Sequence, residues 1–411
     1  MNPATDQSSL VAKGFQRTDF GVTPGDWTPA RLDAISDFIS KGATPTTYGF
    51  GWTQDGILFL RSECVSDHGL DLEQSMHISP KAHGTLRRSH VRGGDILMTI
   101  TGNVGRVVRL PGDFGEANIN QHIARIRVTS PRSLPEFVFH FLSQTSVRKH
   151  YELITTGQAY PQISLKQVRE TVIPLPRIEE QQPIAEALSE TDASLDALAH
   201  LIAKKRAMKL GAMSQLLTGR TRLTGFHSEW TEKRLGDVAA IKTGSKNNQD
   251  KVADGTYPFF VRSAIIERIN TYSYDGEAIL VPGEGGIGSI FHYINAKFDV
   301  HQRVYKISDF SSAVNGRFIY YAMSHSFGRH AMRNTVKATV DSLRLPTFKN
   351  FAFPAPADVG EQVAIADALA DMDFDIEALT LRLEKMEDIK RGIMQALLTG
   401  RVRLTEEKVG A

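Results

Sequence analysis

One cysteine, Cys64, stands among 411 residues. A single thiol closes no internal disulfide and no CxxC metal clamp, which excludes a disulfide scaffold and a structural zinc site; with nothing nearby to activate it, Cys64 reads as a buried, inert thiol. No apolar run approaches the ~18 residues that cross a bilayer. The polar stretch Met1–Leu10 carries no signal-peptide core, so a cytoplasmic location is the expectation. Net charge is also scarce: 48 Lys and Arg against 46 Asp and Glu leave +2. A strongly basic chain would point to nucleic acid on bulk charge alone; here charge has to be judged region by region.

Catalytic motifs are missing as well. There is no GxxxxGK[ST] phosphate loop, no HExxH, no GxSxG elbow, and no Asn/Asp-Pro-Pro-Tyr/Phe tetrapeptide. The run Gly283-Glu284-Gly285-Gly286-Ile287-Gly288 satisfies GxGxxG, but a dinucleotide site needs a helix to start there. The residues that follow, Ser289–Ile294, read as strand, so a tight strand–strand connection is expected. The adjacent acids Glu179 and Glu180 fall at a predicted helix start, where they complement the macrodipole.

What is present is a long internal repeat. Glu180–Leu223 aligns without a gap on Glu361–Leu404, at a constant offset of 181 residues (361 − 180), with about 20 of 44 positions identical. Leu216-Leu217-Thr218-Gly219-Arg220 matches Leu397-Leu398-Thr399-Gly400-Arg401, and Ile184-Ala185 matches Ile365-Ala366. Weaker echoes reach further back. Asn120-Gln121-His122-Ile123 sits where His301-Gln302-Arg303-Val304 sits, Phe137-Val138 matches Phe318-Ile319, and Phe59-Leu60-Arg61-Ser62 aligns with Phe260-Val261-Arg262-Ser263. A match of this length between halves signals duplication.

Both repeated segments read as helices that start after a proline-bearing stretch and stop at a Thr-Gly pair. At ~1.5 Å per residue each spans roughly 55 Å. Ile365, Leu369, Met372, Ile376, Leu379, Leu383 and Met386 alternate steps of four and three, an a/d seam interrupted by Lys390 before Ile393 and Leu397. The first helix offers Ile184, Leu188, Leu195, Leu198 and Ile202, then charges at Lys205 and Lys209. Two such seams predict a pair of helices packed together as a coiled coil; the alternative is that each packs on its own domain.

The regions between are mixed. Asp95–Ile100 and Ala278–Val281 read as strands leading to glycine-rich turns, and His122–Val128 alternates as a half-buried strand does. Pro135–Leu142 and Arg317–Met323 read as short amphipathic helices. The expected division is a first α+β domain over 1–178, a long helix and linker over 179–223, a second α+β domain over 224–358, and a second long helix with its tail over 359–411.

Basic and amide-bearing clusters occur in both halves. The first has Arg87, Arg88 and Arg92; the second has Lys242, Lys246 and Asn247. Lys and Arg neutralise phosphates, while Arg, Asn and Gln read base edges. Polar loops precede both proline stretches, with Gln158, Tyr160 and Gln162 in one and Lys337 and Thr339 in the other. Arg61 and Arg262 fall at matched scaffold positions, which suits phosphate contact or structural pairing better than base readout. A single basic cluster is more often an ordinary solvated surface; its recurrence in loops of both halves brings the two readings level, as they are for the polar loops.

A variable α+β domain that ends in Pro-x-Pro, Glu-Gln, Ile-Ala and a long helix closing in Leu-Leu-Thr-Gly resembles the specificity subunits of type I restriction–modification systems. Pro174-Leu175-Pro176, Glu180-Gln181, Ile184-Ala185 and Leu216–Gly219 carry the signature, and Pro354-Ala355-Pro356, Glu361-Gln362, Ile365-Ala366 and Leu397–Gly400 repeat it. The resemblance implies an α+β fold of two similar target-recognition domains separated by two long helices that form an antiparallel coiled coil. It implies a non-catalytic chain that reads a bipartite, asymmetric site on double-stranded DNA, with the helices fixing the unread spacer. Two modification methyltransferase subunits dock on those helices and restriction subunits join them. The chain itself needs no cofactor: S-adenosylmethionine, ATP and Mg²⁺ belong to the partners. The competing readings are a self-contained DNA methyltransferase or nuclease, and a coiled-coil scaffold with no DNA role.

Overall fold

The computed structural model describes residues 14–157, 160–286, 288–333 and 342–404. Packing divides the chain into two units. One comprises the chain up to Ala197 together with the segment from Leu383 onward; the other is Leu198–Arg382. The division falls inside both long helices, Ile178–Leu216 and Val359–Leu397, of 39 residues each. Each unit is therefore an α+β head with a piece of both helices.

In the first unit Asp192 pairs with Lys390 at 2.5 Å, and Ile184 and Leu188 share a core with Met394, Leu397 and Leu398. In the second, Lys205 meets Asp375 at 2.7 Å, Lys209 meets Asp373, and Met213 and Leu217 share a core with Ile365 and Leu369. Residues advance along one helix as their partners retreat along the other, so the pairing is antiparallel. The lysines that interrupt both seams face aspartates of the opposite helix, which is why the hydrophobic repeat tolerates them. Ile184, Leu188, Leu198, Ile202, Ile365 and Leu369 are buried, while Leu195, Met372, Ile376, Leu379, Leu383 and Met386 are half-buried.

The repeated signature residues act as latches. Gln181 is fully buried: its amide donates to the carbonyls of Arg132 and Pro176 and accepts from the N–H of Leu134. Gln362 repeats this with Ala313, Pro356 and Asn315. These bonds bolt each helix start to its own head. The neighbouring glutamates reach the tail of the other helix: Glu361 takes Arg222 at 2.9 Å, and Glu180 takes Arg403 at 2.7 Å, with Asp26 also on Arg403. Gly219 and Gly400 have φ of +68° and +65°, the left-handed turn that ends each helix. A methyl on either would also crowd an indole, 3.1 Å from Trp230 for Gly219 and 3.2 Å from Trp27 for Gly400.

The heads share one strand order. In the second, a six-stranded sheet runs Ala240–Thr243, Val304–Ser308, Tyr274–Pro282, His292–Val300, Tyr257–Phe260, Ile266–Ile269. In the first, Ser40–Lys41, Ile123–Ile126, Ile96–Thr99 and Val107–Arg109 form one sheet, and Ala117–Ile119, Ile57–Leu60 and Met76–Ile78 continue the same order in another. The continuous strand His292–Val300 thus corresponds to two short strands, Val107–Arg109 and Ala117–Ile119, broken by the turn Pro111–Gly115.

The structure corrects one strand. Ile123–Ile126 is buried along its whole length and not on one face, because it lies inside its sheet. Its polar member, Arg125, is held between the carbonyls of His90 and Phe38. Its neighbour Arg127 forms a two-pronged pair with the buried Asp95 at 2.6 and 2.7 Å.

Candidate nucleic-acid interface

Each head brings a loop against the end of its parallel-paired strand, and a glycine makes the approach possible. A Cβ on Gly42 would collide with the carbonyl oxygen of Ile119, and one on Gly244 with that of Val300. The close approach puts Thr44 in one head, and Lys246 and Asn247 in the other, beside the residues that follow those strands.

In the second head the backbone bonds Lys246 N–H to Val300 O (3.3 Å) and Gln302 N–H to Lys246 O (2.8 Å) fix this crossing. The Gln302 amide donates from Nε2 to Asn247 Oδ1 at 2.6 Å, and the Asn247 N–H is held by Asp250 at 2.7 Å. Cations surround the pair. Arg262 and Arg303 share one carboxylate, Glu284, each at 3.3 Å, so one acid offsets two guanidinium groups. His301, buried beside them, is held below its ordinary imidazole range, first by desolvation and then by Arg262 and Arg303. Asn247, Arg262, Gln302 and Arg303 are exposed and Lys246 is half-buried.

The first head builds the same corner from different groups. Thr44 donates to Gln121 Oε1, Gln121 Nε2 meets His122 Nε2 at 2.9 Å, and the His122 ring lies edge-on to Tyr160, 6.2 Å between centroids. Gln162 is tied to Thr156 by two backbone bonds of 3.0 and 3.1 Å. Lys41, Thr156, Gln162 and Gln167 line a cavity of about 490 Å³. Arg87, Arg88 and Arg92 are exposed, and the carbonyl of Arg88 accepts from Ser40 beside Lys41.

Several sequence expectations are adjusted by this geometry. Asn120 N–H bonds Leu60 O and His301 N–H bonds Phe260 O, so Leu60, and not Phe59, is the counterpart of Phe260. Arg61 and Arg262 are then one position out of register. Arg61 is engaged locally, its Nε donating to Gln74 O at 3.0 Å, whereas Arg262 joins the basic corner. Lys242 pairs across the sheet with Lys306, which stacks on Tyr274 at 3.4 Å; it is not part of the Arg262–Arg303 group. Gln158, Lys337 and Thr339 lie outside the described residues. Sequence reasoning passed over Gln121, His122, Gln302, Arg303 and Lys41. The signal was available: in the tripeptides Asn120-Gln121-His122 and His301-Gln302-Arg303 the glutamine alone repeats, at the same offset as the helices.

Cys64 is buried and unpaired, and desolvation pushes its thiol up, the opposite of an activated cysteine. The GxGxxG run opens onto the strand His292–Val300 and not onto a helix. Among the described residues no three His, Cys, Asp or Glu side chains gather as a metal site, and no helix is long and apolar enough to cross a membrane.

Two α+β heads of one strand order, each latched to antiparallel helices by repeated residues, define a duplicated recognition module. The family described as type I restriction modification DNA specificity domain matches residues 24–204 and again 227–387. The chain belongs to this family, and it is a type I restriction–modification specificity subunit with two DNA-recognition domains. It is 26% identical over 417 residues to the type I restriction enzyme MjaVIII specificity subunit of Methanocaldococcus jannaschii, covering 93% of this chain and 94% of that one. It is 29% identical over 198 residues to the EcoBI specificity subunit of Escherichia coli, covering 47% and 41%. In fold it is similar to the type I restriction–modification S subunit from M. genitalium, with a TM-score of 0.63 at 16% identity over 90% of this chain and 96% of that one. A second solved chain, from work on complex assembly and conformational transition of the type I R-M system, aligns with a TM-score of 0.53 at 15% identity over 92% of this chain and 99% of that one.

Proposed function

We propose that the two heads read the two halves of a bipartite, asymmetric site on double-stranded DNA, each through the corner described above. One observation carries this reading: the heads repeat the same backbone crossing, at Gly42 beside Gln121 and at Gly244 beside Gln302, while most of the groups around it that face solvent differ. Shared scaffold with unlike faces is what two readers of unlike sequences need. Lys246, Asn247, Arg262 and Arg303 supply phosphate and base contacts in one head; Arg87, Arg88, Arg92, Tyr160 and Gln162 supply them in the other.

The paired helices dock two modification methyltransferase subunits, and restriction subunits join that core. Leu201 and Met208 on one helix, and Phe374 and Leu381 on the other, are exposed at seven-residue spacing outside the seam, an apolar stripe of the kind that partner proteins cover. The length of the helices sets the unread spacer of the target. The chain works in the cytoplasm and is non-catalytic, the partners bringing S-adenosylmethionine, ATP and Mg²⁺.

The test is an exchange of Leu235–Val340 for the corresponding segment of a relative, followed by sequencing of methylated sites in cells carrying the partner subunits. One half-site is expected to change and the other to stay. A change in both, or in neither, refutes independent reading by two heads. Purified chain alone, incubated with DNA, Mg²⁺ and S-adenosylmethionine, is expected to give no turnover.

A further inference from the structure

We propose that Gln302, oriented by its 2.6 Å hydrogen bond to Asn247, reads an adenine edge in the half-site of the second head. The inference rests on the DNA-reading role proposed for that corner and assigns it a base and a residue.

A glutamine reads adenine when its carbonyl oxygen accepts from N6–H while its amide donates to N7. A free glutamine side chain samples many rotamers, and ordering it on contact opposes binding by on the order of 2 kcal/mol of side-chain entropy. Gln302 is ordered beforehand. Its backbone N–H is tied to Lys246 O at 2.8 Å, and one Nε2 hydrogen goes to Asn247 Oδ1. Asn247 is itself anchored through its N–H to Asp250. That leaves the second Nε2 hydrogen and both lone pairs of Oε1 for a ligand on an exposed residue. One donor and one acceptor, side by side and held by the buttress, is the complement of the adenine major-groove edge.

The surroundings suit the assignment. Arg303 is the next residue, and Arg262 lies across Glu284 from it. Both can hold backbone phosphates on either side of a base that Gln302 contacts. The first head is the control supplied by the fold itself. At the equivalent position Gln121 is occupied at both ends, its oxygen by Thr44 and its nitrogen by His122. Its amide has less left to offer a base, and its effect there is to position the His122 ring against Tyr160. The same glutamine is thus a reader in one head and a positioning residue in the other, decided by whether the facing loop supplies Asn247 or Thr44.

The experiment uses the full chain assembled with its modification subunits. It measures binding to a duplex carrying the methylated motif, to duplexes with each position of that motif changed singly, and to unrelated DNA, alongside methylation-site sequencing. Gln302→Ala is expected to relax discrimination at one A·T position, roughly ten- to a hundredfold. That position lies in the half-site that changes when Leu235–Val340 is exchanged, and affinity for unrelated DNA stays as it was. Asn247→Ala, which frees the glutamine, relaxes the same position less. Gln302→Glu removes the donor and moves the preference at that position toward cytosine, whose N4–H donates to a carboxylate. Arg303→Ala weakens all duplexes alike. If Gln302→Ala leaves every position unchanged, relaxes a G·C position, or acts on the other half-site, while Arg303→Ala still weakens binding, the adenine assignment is wrong and the DNA-facing corner stands. If Arg303→Ala, Lys246→Ala and Arg262→Ala together leave affinity untouched, the corner does not face DNA and both readings of it fall.

Discussion

The two heads are copies that differ more in some places than in others. Gly42 and Gly244, Gln181 and Gln362, Gly219 and Gly400, and the acids Asp192 and Asp373 do the same work in each unit. Around them the groups change. Tyr321 donates to Asp373 at 2.8 Å, while its counterpart His140 bonds Ser189 at 3.0 Å and leaves Nδ1 without a hydrogen bond, 3.8 Å from Asp192. The strand His292–Val300 is continuous where its counterpart is broken in two. What persists is what backbone geometry or a buried hydrogen bond requires; what varies faces solvent or has a second solution. That comparison can be pressed by changing the same position in each unit and asking whether the units respond independently.

The largest effect is expected at the crossing glycines. A Cβ at Gly244 lands on the carbonyl of Val300, and one at Gly42 on that of Ile119, so the loop or the strand must move. Such overpacking against backbone costs at or above about 3 kcal/mol. Gly244→Ala should lower the unfolding temperature and abolish recognition of one half-site only; Gly42→Ala should do the same for the other. If either variant disturbed both half-sites, the heads would be energetically coupled and the comparison would fail.

The helix latches come next. Gln181→Ala strands the carbonyls of Arg132 and Pro176 and the N–H of Leu134, and unsatisfied buried groups cost about 1–3 kcal/mol each. With partial relaxation a loss of about 2–4 kcal/mol is expected, matched by Gln362→Ala. Hydrogen exchange should localise the first loss to Pro135–Leu142 and the helix start, and the second to Gly316–Arg333. Equal loss of protection in both units after either change would show that the latches do not act locally.

Much of this was legible beforehand because the repeat is gapless where it matters. The two long helices and the Pro135–Leu142 helix follow from period and breaker residues, whereas the antiparallel sense of the pairing was implied only by the family resemblance. The latches are Glu-Gln and Arg pairs whose repetition is visible, but whose partners are 139 and 223 residues distant in sequence, so no local pattern names them. Ile123–Ile126 misled because alternation assumes that a polar side chain faces water, and Arg125 faces two carbonyls instead. The basic corner was half visible. Lys246, Asn247 and Arg262 stand in charged loops, whereas Gln302 and Arg303 follow the end of a strand and join them across the sequence, Gln302 at the Gly244 crossing and Arg303 through Glu284.

The subtlest difference between the units is a matter of pH. His140 is buried among Ser189, Asp192, Lys390 and Arg109; burial first, then Lys390 and Arg109, push its pKa down to about 3. The unfolded chain binds this proton near the ordinary value of 6.5, and the folded unit does not until about 3. Protons therefore favour the unfolded state across that window, and the stability that neutral His140 permits is present above 6.5 and lost as pH falls. The slope approaches about 1.4 kcal/mol per pH unit for one such group. Tyr321 has no counterpart effect, since burial and Asp373 push its phenol up, away from this range. His140→Tyr should therefore flatten the acid side of the unfolding profile between pH 6.5 and 4.5 relative to the unaltered chain, and place a phenol where it can donate to Asp192 as Tyr321 does to Asp373. Unfolding curves of the two proteins that run parallel through that window would show that the imidazole is charged in the fold, and that positions 140 and 321 are not the two solutions of one packing problem.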